Sequence, residues 1–236
     1  MMNDPKSTMQ NKIKNWFDST YHHRKFSYLR PEEAYEIFIS VLKPEKGDKL
    51  LDVACGPGLL LKKAVEKGVS AYGIDISTVA IELSRRFVPD AKTLTGNSEN
   101  LPFADQEFDF ITCIGSLERF IDFRKSLDEM KRVAKPNARF CFMVRNSNTF
   151  TWKIYRQFLR QKNTEAHMEA KGLAAWKNLF EENGFEIISV YADQWPDFKL
   201  KRKLLFWGKI DYGRIHQTIL PLKFSNEFIF IMKEKL

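Results

Sequence analysis

Apolar residues recur along this chain with two periods, and the switch between them is the first constraint on its fold. Ile13, Trp16 and Phe17 share one face at helical spacing, as do Tyr35, Phe38 and Leu42 in a segment opening with Pro31-Glu32-Glu33. Proline in a first turn and acids at the positive end of the helix dipole favour a helix start there. Two helices therefore precede the first strand, and residues 1–9, largely polar, are expected to fray.

From Lys49 the pattern changes. KLLDVA reads as a strand that stops at a turn carrying Gly56 and Gly58 and hands over to a helix near Leu59. Residues 70–74 make a short strand ending at Asp75, and Ser77 is the N-cap of a helix that Pro89 ends. Residues 91–94 form a third strand, and FDFITCI at 108–114 is the continuous apolar run of a buried parallel strand. Leu127, Met130 and Val133 mark the next helix, and residues 139–144 another buried strand. Strands alternating with helices predict an α/β domain with a parallel sheet, whose ligands bind beyond the carboxyl ends of the strands.

The tail breaks this rhythm. Trp176, Leu179 and Phe180 lie on one helix face ended by Gly184, and residues 185–191 and 228–232 read as two consecutive strands. A hairpin with an antiparallel last strand follows. Between them, residues 192–226 form a connection long enough to be functional or partly structured. The expected organisation is one domain: a helical arm (1–45), a ligand-binding core (46–191), a cap-like insertion (192–226) and the last strand (227–236).

Composition adds exclusions. The 236 residues suffice for a substantial core, and no apolar run is long enough to span a bilayer, which leaves only peripheral membrane contact open. Cys55, Cys113 and Cys141 show neither disulfide nor zinc spacing. With no signal peptide read, the expected compartment is the cytoplasm. A formal net charge of +8 favours anionic partners without choosing among nucleic acid, metabolite and lipid.

The glycine turn points to a small ligand, because backbone without Cβ at a helix N-terminus allows close approach. Three features disfavour a dinucleotide. The position for a third fingerprint glycine is Leu61, Asp52 would repel a pyrophosphate, and no P-loop lysine follows. Asp75, nineteen positions beyond Gly56, is placed to accept both ribose hydroxyls. Asn97-Ser98-Glu99 and Gly115-Ser116, at successive strand ends, offer an adenine site. The ligand so described is an adenosine whose substituent tolerates a nearby carboxylate.

Four segments in order, LLDVACGPG, YGIDIS, GNSENLPFADQEFDFITCIGSLERF and LDEMKRVAKPNARF, resemble the class I S-adenosylmethionine-dependent methyltransferases of small-molecule type, including the quinone-biosynthesis enzymes. The resemblance implies a Rossmann-like, seven-stranded, mostly parallel sheet with an antiparallel last strand and helices on both faces. It also implies S-adenosyl-L-methionine as cofactor and a small methyl acceptor as partner. By the same resemblance Asp52, Gly56 and Gly58 shape the methionine side, with Ala54 replacing the commoner glycine. Asp75 holds the ribose, Ile76 packs on adenine, and Asn97 or Ser98 meets the adenine amine. Gly115 stands where metal-using relatives carry a second acid. The segment Trp16-Phe17-Asp18-Ser19-Thr20-Tyr21 resembles an arm that folds over the cofactor, with Tyr21 contacting it and Arg30 pairing with its carboxylate.

The sulfonium makes alignment the main catalytic task, and a base is needed only for an acceptor that arrives protonated. Candidate bases are His22, His23 and Glu118. Leu117-Glu118-Arg119 matches a Leu-Glu-His of relatives, and Arg119 there removes a neutral base and a metal ligand, so no catalytic metal is expected. Trp16, Phe17, Glu118, Arg119, Trp195 and Trp207 are the candidate acceptor contacts, the last two from the basic, aromatic insertion. The rival readings are a nucleic-acid methyltransferase, disfavoured by the absence of an N-P-P-Y-like or Pro-Cys run after the fourth strand, and an inactive cofactor-binding partner protein.

Overall fold

A computed structural model describes residues 5–149, 169–193, 222 and 225–235. Its centre is a seven-stranded sheet in the order β3-β2-β1-β4-β5-β7-β6. The strands are β1 (Lys49–Val53), β2 (Ser70–Asp75), β3 (Lys92–Thr95), β4 (Phe108–Ile114), β5 (Ala134–Arg145), β6 (Phe185–Asp193) and β7 (Glu227–Glu234). β1 to β5 pair in parallel, whereas β7 slots between β5 and β6 and runs antiparallel to both. The expected terminal hairpin is present, and it is β7 rather than β6 that reaches the parallel core.

Side-chain alternation splits the core into two layers. On one face Leu50 of β1, Cys141 and Met143 of β5, and Ile229 and Ile231 of β7 meet helices α2 (Glu36–Leu42) and α3 (Leu59–Glu66). On the other, Leu51 and Val53, Phe140 and Phe142, and Phe228 and Phe230 meet α5 (Phe123–Val133) and α6 (Leu173–Glu182). Helix α4 (Thr78–Phe87) lies on the first face, and Ser77 caps it, its Oγ accepting the Ala80 amide at 3.1 Å. The second layer is packed with aromatic rings meeting mostly edge to face, among them Phe140 on Phe185 at 5.0 Å and Phe180 on Phe230 at 5.0 Å, an arrangement favoured by the ring quadrupoles.

One expectation is corrected. Residues 5–9 do not fray: α1 runs Pro5–Arg24, and its first turn is held by Lys6, whose ammonium lies 2.8 Å from Glu99 and 3.0 Å from Asp122. Leu61, at the position of the third fingerprint glycine, packs close against the sheet. The space for Leu61 of α3 is opened from the strand side, where a Cβ on Gly73 would come within 2.6 Å of Leu61 Cδ1 and 2.7 Å of Cys55 Sγ. Most of the expected insertion, with Trp195 and Trp207, lies outside the described residues.

Candidate active site

Parallel strands bring their following loops to one edge of the sheet, and helix α1 lies across that edge. The result is a cleft of two adjoining cavities, of about 650 Å³ and about 930 Å³ counting space open to solvent. Phe17, Tyr21, Ala54, Ser116 and Arg119 line both and so mark their junction.

The turn after β1 is conformationally demanding. Ala54, Gly56 and Gly58 all take left-handed backbone, at φ of +62°, +54° and +86°. For an alanine this conformation costs about 1 kcal/mol or more. Gly56 is further constrained by Tyr21, whose hydroxyl oxygen would lie 2.8 Å from a Cβ there. Gly58 lines neither cavity; a Cβ on it would strike Ser84 Oγ, so its role is to let α3 start against α4.

Asp75 ends β2 at the floor of the first cavity. Its Oδ2 accepts the Gly56 amide and its Oδ1 the Ser77 amide, each at 2.8 Å. Burial nevertheless raises its pKa to about 6, because two amide bonds do not replace the lost hydration. Asp52, on the floor of the second cavity, accepts the Thr112 hydroxyl at 2.6 Å, and burial raises its pKa to about 7, with repulsion from Asp75 adding to the rise. Among the described residues neither carboxylate forms an ion pair with a basic side chain. Ile76, Asn97 and Ser98 complete the far wall of the first cavity. Asn97 Oδ1 accepts the Glu99 amide at 3.1 Å, and the Ser98 hydroxyl shares a hydrogen bond with Ser126 at 2.8 Å.

Helix α1 supplies the roof. Gln10, Ile13, Phe17 and Tyr21, three or four residues apart, face the first cavity together. Asp18 fixes the helix from its flank: its Oδ1 accepts the Ser77 hydroxyl at 2.6 Å and the Val79 amide at 3.2 Å, a second cap on α4 delivered from a distant segment. Gln10 donates to Glu99 at 3.2 Å. Gln10 was not singled out from the sequence, nor was the cap that Asp18 provides, although the spacing of Ile13, Phe17 and Tyr21 carries the signal for a shared face.

Several expected residues are elsewhere. His22 and His23 are exposed, edge to face with each other at 5.1 Å, and line neither cavity. Glu118 is buried but faces away, its Oε1 accepting the Arg145 amide at 2.6 Å, and it lines a separate small cavity beside Trp176. Both corrections have one cause: the face of a helical turn is set by residue spacing, and these residues fall off the face that Tyr21 and Arg119 occupy. Arg30 does line the second cavity, but its fork is engaged with Asp193 at 2.6 Å and Glu227 at 2.9 Å, which ties the arm to β6 and β7. Trp16 reaches neither cavity and packs beside Phe17 at 4.9 Å. Gly115, at φ +69°, lines the second cavity, together with Tyr28, Tyr35, Arg145 and Glu227, which the sequence did not flag. Among the described residues no group of His, Cys, Asp and Glu could hold a metal ion.

A sheet of this order with β7 reversed, a glycine turn after β1 and a carboxylate ending β2 define a class I S-adenosylmethionine-dependent methyltransferase fold. The model of the methyltransferase domain family matches residues 21–190, and the chain belongs to that family. It is 35% identical over 161 residues to a demethylmenaquinone methyltransferase of Paenarthrobacter aurescens, covering 68% of this chain and 61% of that protein. It is 34% identical over 120 residues to the Thermotoga maritima protein of the same name, covering 48% of this chain and 52% of that one. The matches thus span between half and two thirds of these relatives. A solved SAM-dependent methyltransferase of Thermotoga maritima superposes with a TM-score of 0.65 at 18% identity, over 97% of this chain and 99% of that one, and so shares the fold.

Proposed function

We propose that this protein is an S-adenosylmethionine-dependent methyltransferase that transfers a methyl group to a small aromatic or anionic acceptor. The observation that carries the reading is the pair of buried carboxylates, Asp52 and Asp75, on a cleft floor where no described basic side chain forms an ion pair with either. A ligand bearing positive charge supplies the missing counter-charge, and S-adenosylmethionine carries it on sulfonium and ammonium. The donor set fits: Asp75 for the ribose hydroxyls, Ile76 and the Asn97-Ser98 loop for the adenine, and Asp52 for the ammonium.

When bound, that cofactor supplies a methyl group activated by the sulfonium. The chain contributes alignment. Phe17 and Tyr21 of α1, with Ala54 and Ser116, close around the junction and exclude water, and Tyr28 and Tyr35 line the second cavity, where an aromatic acceptor would lie. Holding both reactants in line can contribute up to about 7–11 kcal/mol, which leaves a dedicated base optional. The name carried by the relatives points to quinone-like rings within this acceptor class.

Calorimetry with S-adenosylmethionine, followed by transfer of labelled methyl to a panel of phenols, quinols and carboxylates, tests the reading. Binding with turnover of at least one aromatic acceptor is expected. Absence of cofactor binding overturns it, and binding without transfer to any acceptor reduces it to a cofactor-binding partner protein.

A further inference from the structure

The residue at the junction of the two cavities that the alignment argument leaves without a task is Arg119. It closes a short 3-10 turn, Leu117–Arg119, after β4, and its amide donates to Ser116 at 2.9 Å. Only 7% of the residue is exposed. The guanidinium carbon lies 5.6 Å from the Trp16 ring centroid and 5.3 Å from that of Phe17, and Nη2 reaches the Tyr28 hydroxyl at 3.4 Å. Aromatic faces from α1 thus hold a permanent cation against the boundary between the donor side and the acceptor side.

Such a cation is ill suited to hold a sulfonium and well suited to hold an oxyanion. Arg30 and Arg145 also line the acceptor-side cavity, where both lie against Glu227. Among the described residues, the acids lining the two cavities are Asp52 and Glu227 on the acceptor side and Asp75 and Glu99 on the donor side, Glu99 being engaged with Lys6. Tyr21, Tyr35 and Cys55, which also face the cleft, are kept neutral by burial, which raises all three pKa values. The exposed His22 and His23 and the outward-facing Glu118 leave the junction without the bases first considered there.

Resting on the methyltransferase reading above, we propose that Arg119 is the specificity-determining residue for an acidic aromatic hydroxyl bound as its oxyanion. The acceptor proton is lost to solvent on binding. The oxyanion's electron pair forms the new bond to the methyl carbon, the carbon–sulfur pair returns to sulfur, and two opposite charges become two neutral groups. Arg119 removes the need for a base by stabilising the acceptor in its ionised form, as an opposite charge within a few ångströms does for any acid.

The test uses 4-nitrophenol, whose anion is yellow, titrated with pH in the presence of the full-length protein saturated with S-adenosylhomocysteine. The wild-type complex is expected to lower the probe's apparent pKa by about 1–3 pH units. Arg119→Met should abolish the shift, and Arg119→Lys should restore part of it, each variant being held at S-adenosylhomocysteine saturation as fixed by calorimetry. A merely structural role would not move the probe's titration. No binding of the probe by wild type, or an equal shift in wild type and Arg119→Met, overturns the proposal. Failure of the protein to bind S-adenosylhomocysteine instead sinks the underlying methyltransferase reading. If Arg119→Met does not fold, as judged by circular dichroism, comparison of Arg119→Lys with wild type decides, an identical shift counting against the proposal.

Discussion

Replacing Asp52 with Asn separates what the cleft floor does for the fold from what it does for the ligand. Asp52 is almost wholly buried, keeps one hydrogen bond from Thr112, and has its pKa raised by burial from the ordinary 3.8 to about 7. The folded protein therefore holds a proton that the unfolded chain gives up near pH 4. Stability is lost as pH rises from there through about 7, because the unfolded state binds fewer protons over that window. At about 1.4 kcal/mol per pH unit the ionised Asp52 costs the ligand-free fold about 4 kcal/mol by pH 8. An asparagine keeps the shape and the Thr112 bond and carries no charge. Asp52→Asn should raise the melting temperature of the ligand-free protein at pH 8, by about 2–4 °C for each kcal/mol relieved, with little change at pH 4.

The same change should weaken S-adenosylmethionine binding by about 10- to 100-fold, the worth of one hydrogen bond to a charged group. In wild type, affinity should climb with pH up to about 7, and binding should release a proton, visible as a dependence of calorimetric heat on the buffer's ionisation enthalpy. The variant should lose most of that dependence. A variant less stable than wild type at pH 8, with unaltered cofactor affinity, would show that Asp52 is already compensated in the free protein and refute the reasoning.

Ala54→Gly should relieve the left-handed strain at φ +62° by up to about 1 kcal/mol, seen as a small rise in melting temperature with cofactor affinity intact. Gly73→Ala should destabilise by about 1–3 kcal/mol through overlap with Leu61 and Cys55, and in a denaturant cycle its cost should be less than additive with Leu61→Ala. Arg30→Met should cost about 3–5 kcal/mol, read as a fall in the denaturant midpoint, by removing the cation that Asp193 and Glu227 share. Asp18→Ala should cost about 1 kcal/mol as a lost cap and open α1 to limited proteolysis, with protection restored by excess cofactor.

The sheet was legible because its strands are short apolar runs closed by turn residues, and because Ser77 and Gly56 act within a few positions of where they stand. Contacts between distant segments were not. Nothing in the polar run at residues 5–9 announces that Lys6 will meet Glu99 and Asp122, or that Asp18 will cap a helix some sixty positions later. The absence of a third glycine at Leu61 did argue rightly against a dinucleotide, but it did not announce that the close packing of α3 on the sheet would rest on the missing Cβ of Gly73. For His22 and His23 the signal was present: Ile13, Phe17 and Tyr21 define the cleft face of α1, and the next two residues rotate about 100° and 200° away from it.

Arg119 sets a cation at the junction of the cleft, between Asp75 in the first cavity and Asp52 on the floor of the second, whereas Arg30 and Arg145, which also line the second, are engaged with Glu227. Reactants of opposite charge are each attracted to the side chain of complementary sign, and in a low-dielectric cleft that sorting is worth far more than in water. Methyl transfer cancels the pair: the sulfonium becomes a neutral thioether and the oxyanion a neutral ether. Neither product keeps the charge that held its parent beside the junction, so bond formation itself weakens the grip on the methylated acceptor. Its departure should therefore depend little on the identity of residue 119, with Arg119→Met slowing acceptor capture far more than product release.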